Sequence, residues 1–218
     1  MSNLSGSKKV ALLFLVLIVP SIAYMLMTRG VHHFTKLPVY GEKELSSGGD
    51  TLFHTIPDFS FTNQDGKNIT QEYYKDKIYV ADFFFTTCPS ICPKMSSSLG
   101  KIQEKFKAQR DVKLVSFTVN PENDSVEVLK DYAKKFMVNS SKWNLLTGSK
   151  MEIYELGVKG YLVPASEDAL APGGFLHSEY LMLIDKEKRI RGFYDGTNEA
   201  AVDSLIGEII VLMQEYRK

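Results

Sequence analysis

The sequence predicts an α/β sandwich whose central sheet is mixed. From residue 57 onward, strand-like apolar runs alternate with amphipathic helix-like segments, an order typical of a sheet covered by helices. Only a short turn separates the last two strand-like runs, which predicts an antiparallel pair. A cysteine pair directly follows the most apolar run, so we expect it at the carboxyl end of that strand.

Length and composition favour one folded domain without a nucleic-acid partner. Of the 218 residues, 44% are apolar and 24% are charged, and 26 Lys and Arg balance 26 Asp and Glu. This balance leaves no global field that would attract nucleic acid or another polyanion. Beyond the N-terminal apolar segment about 180 residues remain, which suits one domain with a substantial core.

The N-terminal segment has the pattern of a membrane anchor. After Lys8 and Lys9, residues 10–27 are apolar throughout, and a helix of this length spans roughly 27 Å, close to the ~30 Å hydrocarbon thickness. We therefore predict a cytoplasmic tail at 1–9, a single transmembrane helix at 10–27, and a domain on the extracytoplasmic side of the cytoplasmic membrane. A cleaved signal peptide is the alternative. Apolar residues 24–27, beyond its cleavage site, favour an uncleaved anchor.

Residues 28–54 have the composition of a linker, and the domain proper is predicted at 55–218. The linker contains Gly, Ser, His and Pro, and it should hold the domain at a distance from the membrane. In the domain, residues 58–62 alternate like a half-buried strand, and turn residues at 63–67 precede Ile69. This pattern predicts a β-hairpin extension at the N-terminus of the fold.

The elements around the cysteines carry the clearest signals. Residues 78–85 form a near-continuous apolar run, typical of a central strand covered on both faces. Pro93 suits the first position of a helix and disfavours helical geometry just before it. We therefore expect Cys92 at or just before the helix N-terminus, Cys88 in the preceding loop, and a helix that continues to near Gln109. The positive end of the helix dipole should lower the pKa of the thiols.

The remaining segments continue the alternation. A strand predicted at 112–119 and a helix predicted at 126–137 complete a βαβα unit with the strand before the cysteines and the helix after them. In order, we predict a strand at 112–119, helices at 126–137 and 149–156, strands at 180–185 and 190–194, and a final amphipathic helix at 199–216.

Cys88 and Cys92 are the only cysteines in the chain. Thiolates are soft ligands that suit Cu(I), zinc or iron–sulfur chemistry, and two of them at this junction can also form a disulfide. The residues alone therefore leave metal binding, redox chemistry or both open. A purely structural disulfide is disfavoured, because it would close a very short loop and stabilise little. His177 precedes a predicted strand and would join the pair only if the strand ends bring it close.

Three motifs occur in a fixed order along the chain. They are residues 85–93 (Phe-Thr-Thr-Cys-Pro-Ser-Ile-Cys-Pro), 119–125 (Val-Asn-Pro-Glu-Asn-Asp-Ser) and 176–178 (Leu-His-Ser), the last just before the strand that begins at Tyr180. Together they resemble the Sco (SenC) family of copper chaperones for cytochrome c oxidase. The resemblance covers roughly residues 55–216, and the single N-terminal anchor also matches. It implies a thioredoxin-like fold.

The resemblance also implies one copper ion, Cu(I) or Cu(II), bound by the thiolates of Cys88 and Cys92 and the imidazole of His177. Two soft sulfurs and one imidazole suit three-coordinate Cu(I), and an added ligand would accommodate Cu(II). Structural zinc normally takes four ligands and is the weaker choice. Ser90 and Asn120 stand where many relatives carry Asp, but neither position is a ligand.

The implied function is that of a metallochaperone rather than an enzyme. It would take copper from a donor protein and deliver it to the copper-site subunit of cytochrome c oxidase. Transfer by ligand exchange would require a solvent-accessible site.

The rival function is a thiol–disulfide reductase that keeps the copper-site cysteines of the oxidase reduced. Cys88 and Cys92 would then exchange through a mixed disulfide. Their three-residue spacing, where thioredoxins have two, and His177, where thioredoxin-like oxidoreductases carry proline, disfavour a general reductase. Phe85 stands where peroxiredoxins have threonine, which disfavours a peroxidase. Copper-dependent sensing would use the same ligands and stays open.

Overall fold

The chain divides into two units, Met1–Thr35 and Lys36–Lys218. In the first unit, helix α1 spans Gly6–Thr28, and Leu12, Phe14 and Leu17 are more than half exposed on it. Within the described residues, no helix combines the length and hydropathy of a membrane span. The structure, a computed structural model, describes residues 6–28, 36–45, 49, 51–163 and 179–217.

Nine strands lie in the described part of the second unit. A small antiparallel sheet pairs β1 with β2, and the other seven form one mixed sheet in the order β4-β3-β7-β6-β5-β8-β9. Strands β5, β6 and β7 are parallel to one another, whereas β3, β4, β8 and β9 pair antiparallel. The predicted α/β class with a mixed sheet is therefore confirmed. The bounds are Lys43–Leu45 (β1), Thr51–Phe53 (β2), Ser60–Asn63 (β3), Asn68–Thr70 (β4), Ile78–Phe84 (β5), Val112–Thr118 (β6), Trp143–Thr147 (β7), Tyr180–Ile184 (β8) and Ile190–Asp195 (β9).

In the described part of the second unit there are four helices, of which α2, α3 and α4 connect strands and α5 follows β9, and a 3₁₀ turn at Gln71–Tyr74 follows β4. Helix α4 continues into a π-helical turn at Leu156–Gly160. Each helix begins within a residue or two of its predicted start, but α2 ends four residues before the predicted Gln109. The bounds are Ile91–Lys105 (α2), Val126–Lys135 (α3), Lys150–Glu155 (α4) and Glu199–Glu215 (α5).

Strand β5 is covered on both faces of the sheet, as predicted for a central strand. On one face Tyr132 of α3 packs against Phe84, with ring centroids 5.3 Å apart, and its hydroxyl is hydrogen-bonded to Ser96 of α2. Successive strand residues point to opposite faces. On the other face, accordingly, Phe83 meets Tyr161 at 5.5 Å between centroids.

The sequence prediction missed strand β7. All five of its residues are buried, and the strand joins β6 to the β3–β4 hairpin. Trp143 begins it and donates from Nε1 to Ser116 Oγ at 2.8 Å. A short strand buried on both faces shows no alternation of polar and apolar residues, so the strand period gave no signal here.

Part of the stretch predicted as linker, residues 28–54, is folded in the second unit. It contains β1 and β2, and its Leu37 and Pro38 carbonyl oxygens accept hydrogen bonds from Arg191 at 2.7 and 3.0 Å. Arg191 is almost fully buried and also pairs with Glu215 at 3.0 Å. A buried guanidinium needs such partners to offset its desolvation. The contacts hold the chain against the domain from Leu37 onward.

Candidate metal and thiol centre

The two cysteines lie at a strand-to-helix junction. Strand β5 ends at Phe84 and α2 begins at Ile91, so Cys88 lies in the connecting loop and Cys92 lies in the first turn of α2. The helix starts before the predicted position at Pro93. Proline is accepted there because amide groups in the first turn have no intrahelical acceptor. Parallel pairing of β5, β6 and β7 places this loop at their common carboxyl edge, the expected position for a ligand site.

Both cysteines are free thiols and both are nearly buried, with exposed fractions of 6% for Cys88 and 4% for Cys92. We expected a solvent-accessible site, but the two thiols have little exposed surface in the described structure. The junction lies against the apolar core, in which Phe85 and Met95 are also buried.

Cys88 has the more stabilised thiolate. Burial by itself would raise its pKa, but amide groups of Cys92, Ser90 and Ile91 hydrogen-bond to its sulfur and lower the pKa below its ordinary value. The Cys92 N–H donates to Cys88 Sγ at 3.4 Å. The predicted effect of the helix N-terminus therefore acts on Cys88.

Cys92 behaves in the opposite way. Burial raises its pKa far above the ordinary value, and a hydrogen bond with Cys88 and the charges of Cys88 and Asp82 raise it further. The expectation of a lowered pKa is wrong for this residue. It lies inside the first turn, where desolvation of the charged form outweighs the helix dipole.

Asp82 is a buried acid on the strand that leads to the cysteines. It is 1% exposed, and burial raises its pKa from 3.8 to about 7. A hydrogen bond from Ser116, its register partner on β6, lowers the pKa in part. The Oδ1 atom of Asp82 has no hydrogen-bond partner within the described residues. Its charge also raises the pKa of Cys92 and of Tyr132.

Asp124 is a second buried acid next to the loop, and its carboxylate is fully satisfied. It lies between β6 and α3 with no exposed surface. It accepts hydrogen bonds from Thr86 N at 3.1 Å, from Thr86 Oγ1, from Thr118 Oγ1, and from Asn123 Nδ2 at 2.9 Å. The carboxylate thus connects the start of the cysteine loop to the end of β6.

His177, the third predicted ligand, lies outside the described residues. In the part of the chain that the structure describes, no group of three or more His, Cys, Asp and Glu side chains converges as a metal site. The described chain resumes at Glu179, whose carbonyl oxygen accepts a hydrogen bond from Gly196 N at 2.7 Å. Gly196 in turn accepts from Ser98 of α2 at 2.8 Å. The segment just after His177 is therefore anchored beside the cysteine helix.

Sequence reasoning did not single out either buried acid. Asp82 is the one acid in the apolar run 78–85, and an isolated charge in a buried strand is a usable signal. Asp124 lies in the second motif, six residues after its partner Thr118, but its other partner Thr86 is 38 residues away in the sequence. Only the paired strands bring those hydroxyl groups together.

Three solved structures are similar to this chain. A SCO1/SenC family lipoprotein from Bacillus anthracis is 33% identical with a TM-score of 0.65, over 73% of this chain and 95% of its own. BsSco, a Sco family cytochrome c oxidase assembly protein with a disulfide switch, is 32% identical with a TM-score of 0.64, over 73% and 93%. Arabidopsis thaliana ScoI with copper bound is 30% identical with a TM-score of 0.60, over 73% and 98%.

The family model agrees with these structures. The SCO1/SenC model matches residues 49–213, well over half of the chain. The resemblance found in the three sequence motifs is thereby confirmed, together with the thioredoxin-like fold that it implied. The chain belongs to the SCO1/SenC family.

Proposed function

We propose that this protein binds copper through Cys88, Cys92 and His177 and delivers it to the copper site of cytochrome c oxidase during assembly. The observation that carries the proposal is the pair of free thiols at the carboxyl edge of the sheet. The family's role in oxidase assembly and the copper in the Arabidopsis relative support it.

The donor set suits copper as cargo. The sulfur of Cys88 receives amide hydrogen bonds that favour the thiolate, the form that binds metal. Cys92 would lose its proton when copper binds, since a coordinated thiol is deprotonated. The site therefore offers one sulfur ligand whose thiolate is already favoured, Cys88, and a second, Cys92, that loses its proton only when the ion binds.

His177 is the proposed third ligand because of where the chain resumes. It precedes Glu179 by two residues, which reach at most about 7 Å when extended. The Glu179 carbonyl oxygen and the side chain of Met95 both lie close to Gly196. Met95 lies three residues after Cys92 on α2, so Glu179 and the cysteine helix share Gly196 as a neighbour, which supports the proposal.

The site would act from a membrane-bound position. Residues 10–27 within α1 are the proposed anchor, preceded by a cytoplasmic tail, and the domain would lie on the extracytoplasmic side. The exposed apolar side chains of α1 and the lipoprotein nature of the Bacillus anthracis relative support attachment to a membrane. Retention of the full chain in the membrane pellet after alkaline carbonate extraction would agree with this proposal, and release into the supernatant would contradict a spanning helix.

Copper titration tests the ligand set. The reduced full chain in detergent would be compared with Cys88→Ser, Cys92→Ser and His177→Ala. His54→Ala is the matched control, since the His54 ring is hydrogen-bonded to the Gly160 carbonyl and is not one of the proposed ligands. We expect each ligand variant to weaken copper binding by about tenfold or more and the control to leave it unchanged. Unchanged affinity in all three ligand variants would reject the metallochaperone.

A thiol–disulfide reductase is the second candidate, favoured by the opposite pKa shifts of the two thiols. A thiol with a lowered pKa paired with a buried one of raised pKa suits attack by Cys88 and resolution by Cys92. In a deletion strain, added copper would restore the oxidase copper site if delivery is the function. Selective rescue by an added reductant would favour the reductase.

A further inference from the structure

Asp124 has no role in the proposed ligand set, yet its carboxylate contacts the cysteine loop directly. Two of its four hydrogen bonds come from Thr86, through the backbone N–H and the hydroxyl. Thr86 precedes Cys88 by two residues. The other two donors belong to the β6 side, Thr118 at the strand end and the neighbouring Asn123. The carboxylate therefore bridges two segments that are far apart in sequence.

An ionised carboxylate suits this position for a chemical reason. It accepts only, through two oxygens with about four lone-pair sites, and four donors point at Asp124. An amide at the same place would offer one acceptor oxygen and two donor hydrogens, which would face other donors. Hydrogen bonds to a charged acceptor are also shorter and stronger than neutral ones.

The bridge restrains the cysteine loop at its first residues. At the far end of the loop, the start of α2 holds Cys88 through the Cys92 N–H, and Cys88 N donates to the Phe85 carbonyl at 3.2 Å. Between these points the backbone of Thr86 is held by Asp124 alone among the hydrogen bonds described for it. Weakening of the contact between Thr86 and Asp124, by loss of either hydrogen bond, would therefore let the segment carrying Cys88 shift relative to Cys92.

We propose that Asp124 is a positioning residue for the copper ligand Cys88, which it orients through Thr86. The inference rests on the proposed copper site. It predicts that the hydrogen bonds on the loop side of Asp124 influence copper binding, whereas those on the strand side influence only the stability of the fold.

A pair of matched threonine variants tests this. Thr86→Val and Thr118→Val each remove one hydroxyl donor to the same carboxylate and keep a β-branched side chain, but only Thr86 lies on the cysteine loop. In the full chain in detergent, we expect Thr86→Val to weaken copper binding about tenfold and to shift the sulfur-to-Cu(II) charge-transfer band. Thr118→Val should stay within about twofold of the unchanged protein and keep the band.

Amide hydrogen exchange of the metal-free protein supplies a readout that does not need copper. We expect faster exchange across residues 86–92 in Thr86→Val and unchanged exchange there in Thr118→Val. Equal copper affinities and equal exchange in the two variants would overturn the positioning role, as would equal losses in both. If the unchanged protein binds copper and Cys88→Ser does not, the proposed function stands whatever the threonine variants do. If the unchanged protein binds no copper, both proposals fail.

Discussion

Two buried carboxylates lie on the same face of the sheet beside the cysteine loop, and they differ in how completely protein groups hydrogen-bond to them. Asp124 has four hydrogen-bond donors, whereas Asp82 has one oxygen without a partner in the described residues. Their neighbours on β6 are alternate residues, Thr118 for Asp124 and Ser116 for Asp82. Burial alone therefore does not determine what an acid does. The donors around it decide whether it holds backbone in place or stays poised to change its charge.

The consequence differs for each thiol. Asp124 contacts the loop of Cys88 through its two hydrogen bonds with Thr86. Asp82 acts on Cys92 through its charge, which raises the pKa of that thiol. A buried charge in low dielectric acts over longer distances than one in water. One acid thus shapes the geometry of the site, and the other influences its protonation.

The largest expected effect follows from removing the satisfied acid. Asp124→Ala would leave four donors without their acceptor, and we expect a loss of about 5 kcal/mol in the free energy of unfolding, or failure to fold. Urea denaturation followed by Trp143 fluorescence measures it. Asn123→Ala removes only one of the donors and should cost about 1 kcal/mol. Similar losses in the two variants would show that Asp124 is no more than one weak contact.

The second effect is a pH dependence specific to Asp82. Its folded-state pKa is about 7, against 3.8 ordinarily. Between these values the unfolded chain loses the proton and the folded protein keeps it, so folded stability falls as the pH rises. Asp82→Asn removes the ionisable group and with it this pH dependence of the free energy of unfolding. Relative to the unchanged protein, we expect the variant to gain up to about 4 kcal/mol between pH 4 and pH 8.

Urea denaturation at each pH provides the measurement for Asp82→Asn. Glu199→Gln is the exposed control, since Glu199 forms an ion pair with Lys101 at the surface. Its pH profile should run nearly parallel to that of the unchanged protein. A parallel profile for Asp82→Asn as well would mean that the buried acid is ionised at low pH and solvated in some other way.

The smallest expected effect is the influence of the Asp82 charge on the pKa of Cys92. In a Cys88→Ser background, which removes the neighbouring thiolate, Asp82→Asn should speed the alkylation of Cys92 at pH 9 by about threefold, because the pKa of Cys92 falls. Mass spectrometry of iodoacetamide-treated protein gives the rate, and urea-unfolded samples give the reference. The same rate with and without Asp82 would mean that the raised pKa of Cys92 comes from burial alone.

Local sequence signals were sufficient for the junction itself. The apolar run before Cys88 and the proline after Cys92 predicted a strand, a loop and a helix start, and all three are present. The prediction for the Cys92 pKa was wrong because it considered only the helix dipole. Desolvation depends on which distant residues cover the thiol in the folded protein, and the local sequence around Cys92 does not show this.

Longer-range features escaped prediction for a related reason. Strand β7 is a short buried segment without alternation, and the folding of residues near Leu37 depends on Arg191, which is distant in sequence. The ligand role of His177 stays a prediction. In each case the decisive partner lies on another element, so no window along the chain contains both groups.

By itself, the sequence determined the fold class, the family and the place of Cys88 and Cys92 at a strand-to-helix junction, because periodicity, proline geometry and motif order are local properties. Only the tertiary structure decided how those thiols differ and which acids surround them. Parallel pairing of β5 and β6 sets Asp82 beside Ser116 and brings Thr86 and Thr118 to Asp124. Burial and hydrogen bonding are properties of the assembled sheet, and they set the charge and the geometry of the site.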